Sequence, residues 1–193
     1  MPTLTGLADR SHLMRADIDL DTHVADVVNL IRWEGLTDIV LCGHSYGGMV
    51  VTGVANAVPE HVRSLVYLDA FVPVDGDSAA ALVQPPGSPG PQVPAPPAAW
   101  FGLSGPDEAW ADDKLTAQPA ATISQPARIR NEVVRALPTT YVLAKGWRSN
   151  PHFMKNFERA RSEPTWSARE LDGSHDLMID CPDAVASILL ECA

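Results

Sequence analysis

The stretch that most constrains this chain is Asp38-Ile-Val-Leu-Cys-Gly43-His44-Ser45-Tyr46-Gly47-Gly48-Met-Val-Val. Ile39 to Cys42 is a short, unbroken apolar run, the pattern of a strand buried on both faces. Gly43-His44-Ser45-Tyr46-Gly47 then fits G-x-S-x-G. This is a sharp strand-to-helix turn whose glycines let the backbone pass close while the serine is held in a strained conformation. Met49, Val50, Val51, Val54 and Ala55 continue at helical spacing until Pro59 forbids more. A phosphate-binding loop fits less well, because no Lys-Ser/Thr follows the glycines.

A serine hydroxyl is too weak an acid to attack a carbonyl unaided. It must stand clear of the backbone, beside a base, with positive dipoles where negative charge will develop. A tight turn into a helix N-terminus supplies exposure and dipoles together, and the N–H of Tyr46 would be one oxyanion donor. The competing reading is a glycine-rich turn that holds an idle serine.

At 193 residues the chain suits one domain with a sizeable core, residues 1–193. Its 14 basic and 24 acidic residues leave a net charge of −10, which argues against nucleic-acid or anionic-membrane partners. No apolar run approaches membrane-spanning length and Met1-Pro2-Thr3-Leu4-Thr5 is not a signal peptide, so a cytoplasmic location is expected. Cys42, Cys181 and Cys192 are odd in number and lack Cys-x-x-Cys spacing, so neither a disulfide framework nor a metal site is suggested. Cys42 is expected to pack as a small hydrophobe.

Residues 1–17 read as irregular. A helix capped by Asp21 or Thr22 carries Leu20, Val24, Val27, Val28 and Ile31 at helical spacing and closes at Gly35. Ser64 to Leu68 reads as a second buried strand, ending in Asp69. Alternation of strand and helix at this pitch predicts a mostly parallel α/β sheet flanked by helices. Residues 74–100 break the rhythm with Pro85-Pro-Gly-Ser-Pro-Gly-Pro-Gln-Val-Pro-Ala-Pro-Pro97, which cannot be helix or central strand. Short helices are expected at Asp107 to Thr116 and Ala127 to Leu137. The insertion 74–138 is either a small cap over a site or an excursion that packs Trp100, Phe101 and Trp110 into the sheet flank. The rhythm resumes with a strand at Thr140 to Ala144, a helix at Pro151 to Arg161, a strand at Trp166 to Leu171 and a closing helix from Pro182.

A serine nucleophile wants an imidazole, and the imidazole wants a carboxylate to hold its tautomer. His175 lies in a loop just after the last strand, at the edge where the serine turn opens. His44, inside the turn, suits a structural role, while solvated surface accounts for His12, His23, His61 and His152. For the acid, Asp69 ends the strand after the turn, and the next strand end, Lys145 to Phe153, holds no carboxylate. Asp172 and Asp176 are too close along the chain to reach the His175 ring.

At these residues the chain resembles the α/β-hydrolase superfamily, and within it the esterase-like branch of plant methyl esterases, hydroxynitrile lyases and their bacterial relatives. Pro2-Thr-Leu-Thr-Gly6, Asp19-Leu-Asp-Thr-His23, Gly43 to Gly48, Tyr67 to Pro73 and Gly173-Ser-His175 match that branch in order. The resemblance implies a cofactor-free serine hydrolase acting on a small carboxylic ester, with Ser45 as nucleophile, His175 as base, Asp69 as acid and Tyr46 as oxyanion donor. It also implies that a strand and a His-Gly oxyanion loop, which in the family precede the segment matching Pro2 to Gly6, are missing, so that the fold is N-terminally incomplete. Epoxide hydrolase and dehalogenase chemistry is disfavoured, since those place a carboxylate where this chain has Ser45. Lyase chemistry and a non-catalytic remnant serving as a binding module stay open, as does the oligomeric state, a homodimer included.

Overall fold

The computed structural model describes residues 2–83, 90–147 and 150–193. A 3-10 turn at Ala8–Leu13 precedes α1 (Leu20–Trp33), β1 (Ile39–His44), α2 (Gly47–Ala57) and β2 (Val62–Leu68). The chain then runs through α3 (Ala79–Val83), β3 (Gln92–Val93), α4 (Gly105–Lys114), β4 (Gln118–Pro119), α5 (Ala120–Ser124) and α6 (Val133–Ala136). It returns through β5 (Thr139–Ala144), α7 (Pro151–Ser162), β6 (Trp166–Leu171), α8 (Leu177–Asp180) and α9 (Pro182–Glu191). Four strands form one parallel sheet in the order β1-β2-β5-β6. β3 and β4 make a separate two-residue antiparallel ladder.

The two-residue period of the strands divides the core. Leu65 and Tyr67 of β2 join Tyr141 and Leu143 of β5 against α1, α2 and α7. Val66 and Leu68 join Val142 and Ala144 against Leu177, Val185 and Ile188 on the other face. Each aliphatic side chain of this size contributes about 1.5–3 kcal/mol when taken out of water, so a strand covered on both faces reads as an unbroken apolar run. The expected two-faced burial holds for β2 and β5 but not for β1, whose Ile39 to Cys42 are only half-buried. Among the described residues β2 is the sole neighbour of β1, so an apolar run of the same kind lies at a sheet edge.

Local chemistry sets the helix ends. α1 starts earlier than expected, because Asp19 is its cap. The Asp19 carboxylate accepts from the Thr22 N–H at 2.9 Å, and the Thr22 hydroxyl accepts from the Asp19 N–H. The helix expected over Ala127 to Leu137 shrinks to α6. Its would-be first turn is drawn off by other partners: Ala127 N–H donates to the Asp77 carbonyl, Ile129 N–H to the Asp75 carboxylate, and the N–H groups of Arg130 and Asn131 to the Asn56 amide oxygen. A short helix, α3, also appears within residues 74–100, the range expected to break the strand-helix rhythm. Residues 84–89 lie outside the described residues; the described part of the proline-rich stretch, residues 90–97, forms no helix, and the 3-10 turn Ala98–Phe101 follows it. No described helix is long and apolar enough to cross a membrane.

Candidate active site

Register delivers the site. Gly43 pairs with Tyr67 and His44 with Leu68, so the next residues, Ser45 and Asp69, leave the carboxyl edge of the sheet side by side. The Ser45 N–H donates to the Leu68 carbonyl at 3.3 Å and the Asp69 N–H to the Val142 carbonyl at 2.7 Å, while the Ser45 carbonyl accepts from the Phe71 N–H at 3.1 Å. Both residues sit in the left-handed region, Ser45 at φ 52° and Asp69 at φ 42°. Such backbones cost about 1–3 kcal/mol each and persist where surrounding structure over-determines them, most often at functional sites. Gly43 is required by close approach, since a Cβ there would lie 2.7 Å from the Gly47 carbonyl oxygen and from a Val51 methyl.

The structure brings His175 to Asp69. The His175 Nδ1 lies 2.7 Å from Asp69 Oδ2, with the two side chains 3% and 0% exposed. A carboxylate oxygen accepts, so Nδ1 carries the proton and Nε2 is left with its lone pair. Two further donors reach the same carboxylate: the Ala144 N–H at 3.2 Å on Oδ1 and the Trp147 indole N–H at 2.8 Å on Oδ2. The His175 backbone N–H donates to the Phe101 carbonyl at 2.9 Å, and the rings of Phe101, Phe153 and Trp147 surround the imidazole with centroids 5.2, 5.7 and 4.5 Å away. Asp172 instead pairs with Lys145 at 3.0 Å. Asp176 lies 3.8 Å from His44 Nε2, and burial raises its pKa.

The residues flanking the serine are tied to other elements. His44 Nε2–H donates to the His175 carbonyl at 2.9 Å, pinning the serine turn to the histidine loop. Tyr46 begins α2 as its N-cap, and its hydroxyl lies 3.0 Å from His23 Nδ1. His23 Nε2 lies 2.9 Å from the Thr5 carbonyl, which only accepts, so Nε2 carries the proton and Nδ1 accepts from the Tyr46 hydroxyl. This corrects the surface reading of His23, which is 0% exposed and whose pKa burial lowers. His152 is also half-buried, with its Nε2 enclosed and unpartnered. Cys42 stays a thiol, its pKa pushed up to about 12 by burial.

Burial, followed by the neighbouring His175, lowers the pKa of His44 to about 3. The unfolded chain would take up a proton near the ordinary histidine value, about 6.5. His44 therefore adds stability above pH 6.5, loses it as pH falls toward 3, and changes nothing further below that. With 24% of the side chain still exposed, the expected loss between pH 7 and pH 5 is about 1–2 kcal/mol. Urea unfolding of His44→Gln at the two pH values should show a pH dependence smaller by that amount.

Ser45 and His175 line one cavity of about 300 Å³ together with His44, Phe101, Trp110 and Leu115. A second, apolar groove of about 390 Å³ beside the β1 edge also reaches Ser45 and is walled by Leu4, Val27, Leu41, Val50 and Val51. Trp100 and Trp110 are 73% and 56% exposed, so the insertion does not pack its tryptophans into the sheet flank; Phe101 stacks on the His175 ring and Trp110 lines the cavity. Among the described residues no group of three His, Cys, Asp or Glu side chains is placed to hold a metal. Sequence reasoning missed Trp147 and Phe153. The one available signal was position, because Gly146-Trp147 follows the end of β5, the neighbour of the strand that ends at Asp69.

A parallel sheet with a left-handed serine in a strand-to-helix turn, beside a buried imidazole–carboxylate pair at the strand ends, is the architecture of an α/β hydrolase. The model of the alpha/beta hydrolase family matches residues 1–188. A carbendazim hydrolyzing esterase from a Nocardioides species is 35% identical, over 97% of this chain and 85% of its own length. Among solved structures, an extracellular alpha/beta-hydrolase from a Paenibacillus species superposes with a TM-score of 0.81 at 20% identity, over 100% of this chain and 86% of that one. The methylesterase MES16 from Arabidopsis gives 0.76 at 19%, over 97% and 83%. The chain belongs to the alpha/beta hydrolase family, in its esterase-like branch.

Proposed function

We propose that this chain hydrolyses a small carboxylic ester through a Ser45–His175–Asp69 triad and an acyl-enzyme. The observation that carries the reading is the buried 2.7 Å contact between His175 Nδ1 and Asp69 Oδ2, in a residue that shares a cavity with the strained Ser45. Ser45 Oγ attacks the carbonyl carbon while its proton passes to His175 Nε2. The Tyr46 N–H, at the positive end of α2, helps hold the oxyanion. Collapse of the tetrahedral species expels the alcohol, which leaves with the proton from His175. His175 then deprotonates a water that attacks the acyl-enzyme, and as the carboxylic acid departs His175 passes that proton to Ser45 Oγ. Asp69 stays ionised throughout and stabilises the imidazolium. In this reading residues 1–193 are one domain and the segment 74–138 is a cap over the cavity, with the contact from Phe101 to His175 in support.

The test is covalent. A fluorophosphonate probe should label the protein at one site, mapped to Ser45 by mass spectrometry, and a p-nitrophenyl ester of a short acid should turn over in the unlabelled protein. Carbendazim, for which the Nocardioides relative is named, belongs in the same panel. Absence of both labelling and turnover would leave a binding module as the reading of this fold.

A further inference from the structure

We propose that Trp147 is a positioning residue of the triad: its indole N–H holds Asp69 in the geometry and charge state that His175 needs. The inference rests on the triad reading above and adds a residue to it. Asp69 is fully buried, at a backbone angle that side chains resist, so its carboxylate depends on the donors around it. Of the three, Ala144 N–H serves Oδ1, while Trp147 Nε1–H and His175 Nδ1–H meet on Oδ2 at 2.8 and 2.7 Å. Trp147 and Ala144 are neutral, so the carboxylate keeps a full charge for the imidazolium that forms in the reaction. An indole N–H only donates, so it fixes which face of Oδ2 is open to His175 and cannot take the proton itself.

The backbone is built to deliver this donor. Gly146 N–H donates to the Gly173 carbonyl at 2.8 Å, and a Cβ on Gly146 would lie 2.6 Å from that same oxygen. The strand end bearing Trp147 and the loop bearing His175 are thus locked together at two glycines. The indole also covers the imidazole at 4.5 Å with an interplanar angle of 40°. Yet Trp147 does not line the cavity that Ser45 and His175 share. A role through Asp69 should therefore appear in kcat and leave KM alone.

In Trp147→Phe we expect kcat to fall about 10- to 100-fold, the size of effect that follows when a charged group loses a donor and a catalytic geometry loosens. KM should stay within about twofold by the same argument. The acid limb of kcat/KM should move to higher pH, because a carboxylate with one donor fewer holds the imidazolium more tightly. His44, Tyr141 and Asp176 are the other titratable groups near the pair, and they are unchanged in the variant. An unchanged kcat, or an effect confined to KM, overturns the proposal. Because phenylalanine can disturb packing, a second measurement uses the intact protein labelled with 15N-tryptophan. One of the five indole N–H signals, assigned by its loss in Trp147→Phe, should exchange slowly with solvent and shift in Asp69→Asn. A signal that ignores Asp69→Asn overturns the proposal even if activity falls. Should the native protein neither turn over esters nor take the fluorophosphonate, it is the hydrolase reading that fails, while the indole signal still decides whether Trp147 holds Asp69.

Discussion

Ser45→Ala should reduce ester turnover by about 10⁶-fold and Asp69→Asn by about 10⁴-fold, the losses that serine hydrolysis shows when the nucleophile is removed or the base is given the wrong tautomer. The two variants fail for different reasons. Alanine removes the attacking oxygen and leaves the His175–Asp69 contact alone. Asparagine keeps the shape, but its amide can present an NH₂ to His175 Nδ1, which then becomes the acceptor, putting the proton on Nε2 where the base needs a lone pair. Stability separates them from simple unfolding. Ser45→Gly should be as inactive as alanine yet more stable than the native chain by about 1 kcal/mol, because glycine adopts φ 52° without strain. Initial rates and urea midpoints of the three proteins check this directly. A Ser45→Ala variant with native turnover would show that the serine is idle.

Gly48→Ala should destabilise the protein by about 3 kcal/mol or more, above the usual range for an added core methyl. A Cβ on Gly48 would overlap the Phe71 carbonyl oxygen and press on the Ala70 side chain at 3.1 Å. The obstacle is backbone, so no rotamer change relieves it. Phe71 belongs to the segment that leaves β2 through Asp69, and its N–H holds the Ser45 carbonyl. Relief by moving that segment would shift Asp69 and Ser45 together. The expected result is a drop in thermal midpoint accompanied by a fall in kcat among the molecules that stay folded. Gly47→Ala is the control, since nothing lies within 4 Å of a Cβ there and φ is not positive, so it should be nearly neutral in stability.

These outcomes divide along what the chain carries locally. The serine turn was legible because its constraint is local: an apolar strand, glycines where backbones cross, and a helix that Pro59 forbids beyond α2. β2, β5, α2, α7 and α9 were legible for the same reason, since burial on one or both faces writes a period into the sequence. Asp69 and His175 were legible through chain order at strand ends, although nothing local brings residues 106 positions apart to 2.7 Å.

The parallel register decided that meeting, by carrying Ser45 and Asp69 off adjacent strands at the same height. Tertiary contacts also set the rest of the site. The helix expected at Ala127 to Leu137 gave way because its donors found partners in residues 56, 75 and 77. His23 was read as surface from its place near a helix start, and became core when the Thr5 carbonyl and the Tyr46 hydroxyl closed over it. Nothing in the sequence singled out Trp147, whose indole N–H the fold brings to Asp69. The sequence by itself determined the four strands of the sheet and the helices packed on them, and that a serine would stand at a strand end, because those follow from periodicity and backbone sterics within a few residues. Only the tertiary structure decided which buried polar groups share a carboxylate, because a hydrogen bond across the fold is set by packing geometry and leaves no periodic trace in the chain.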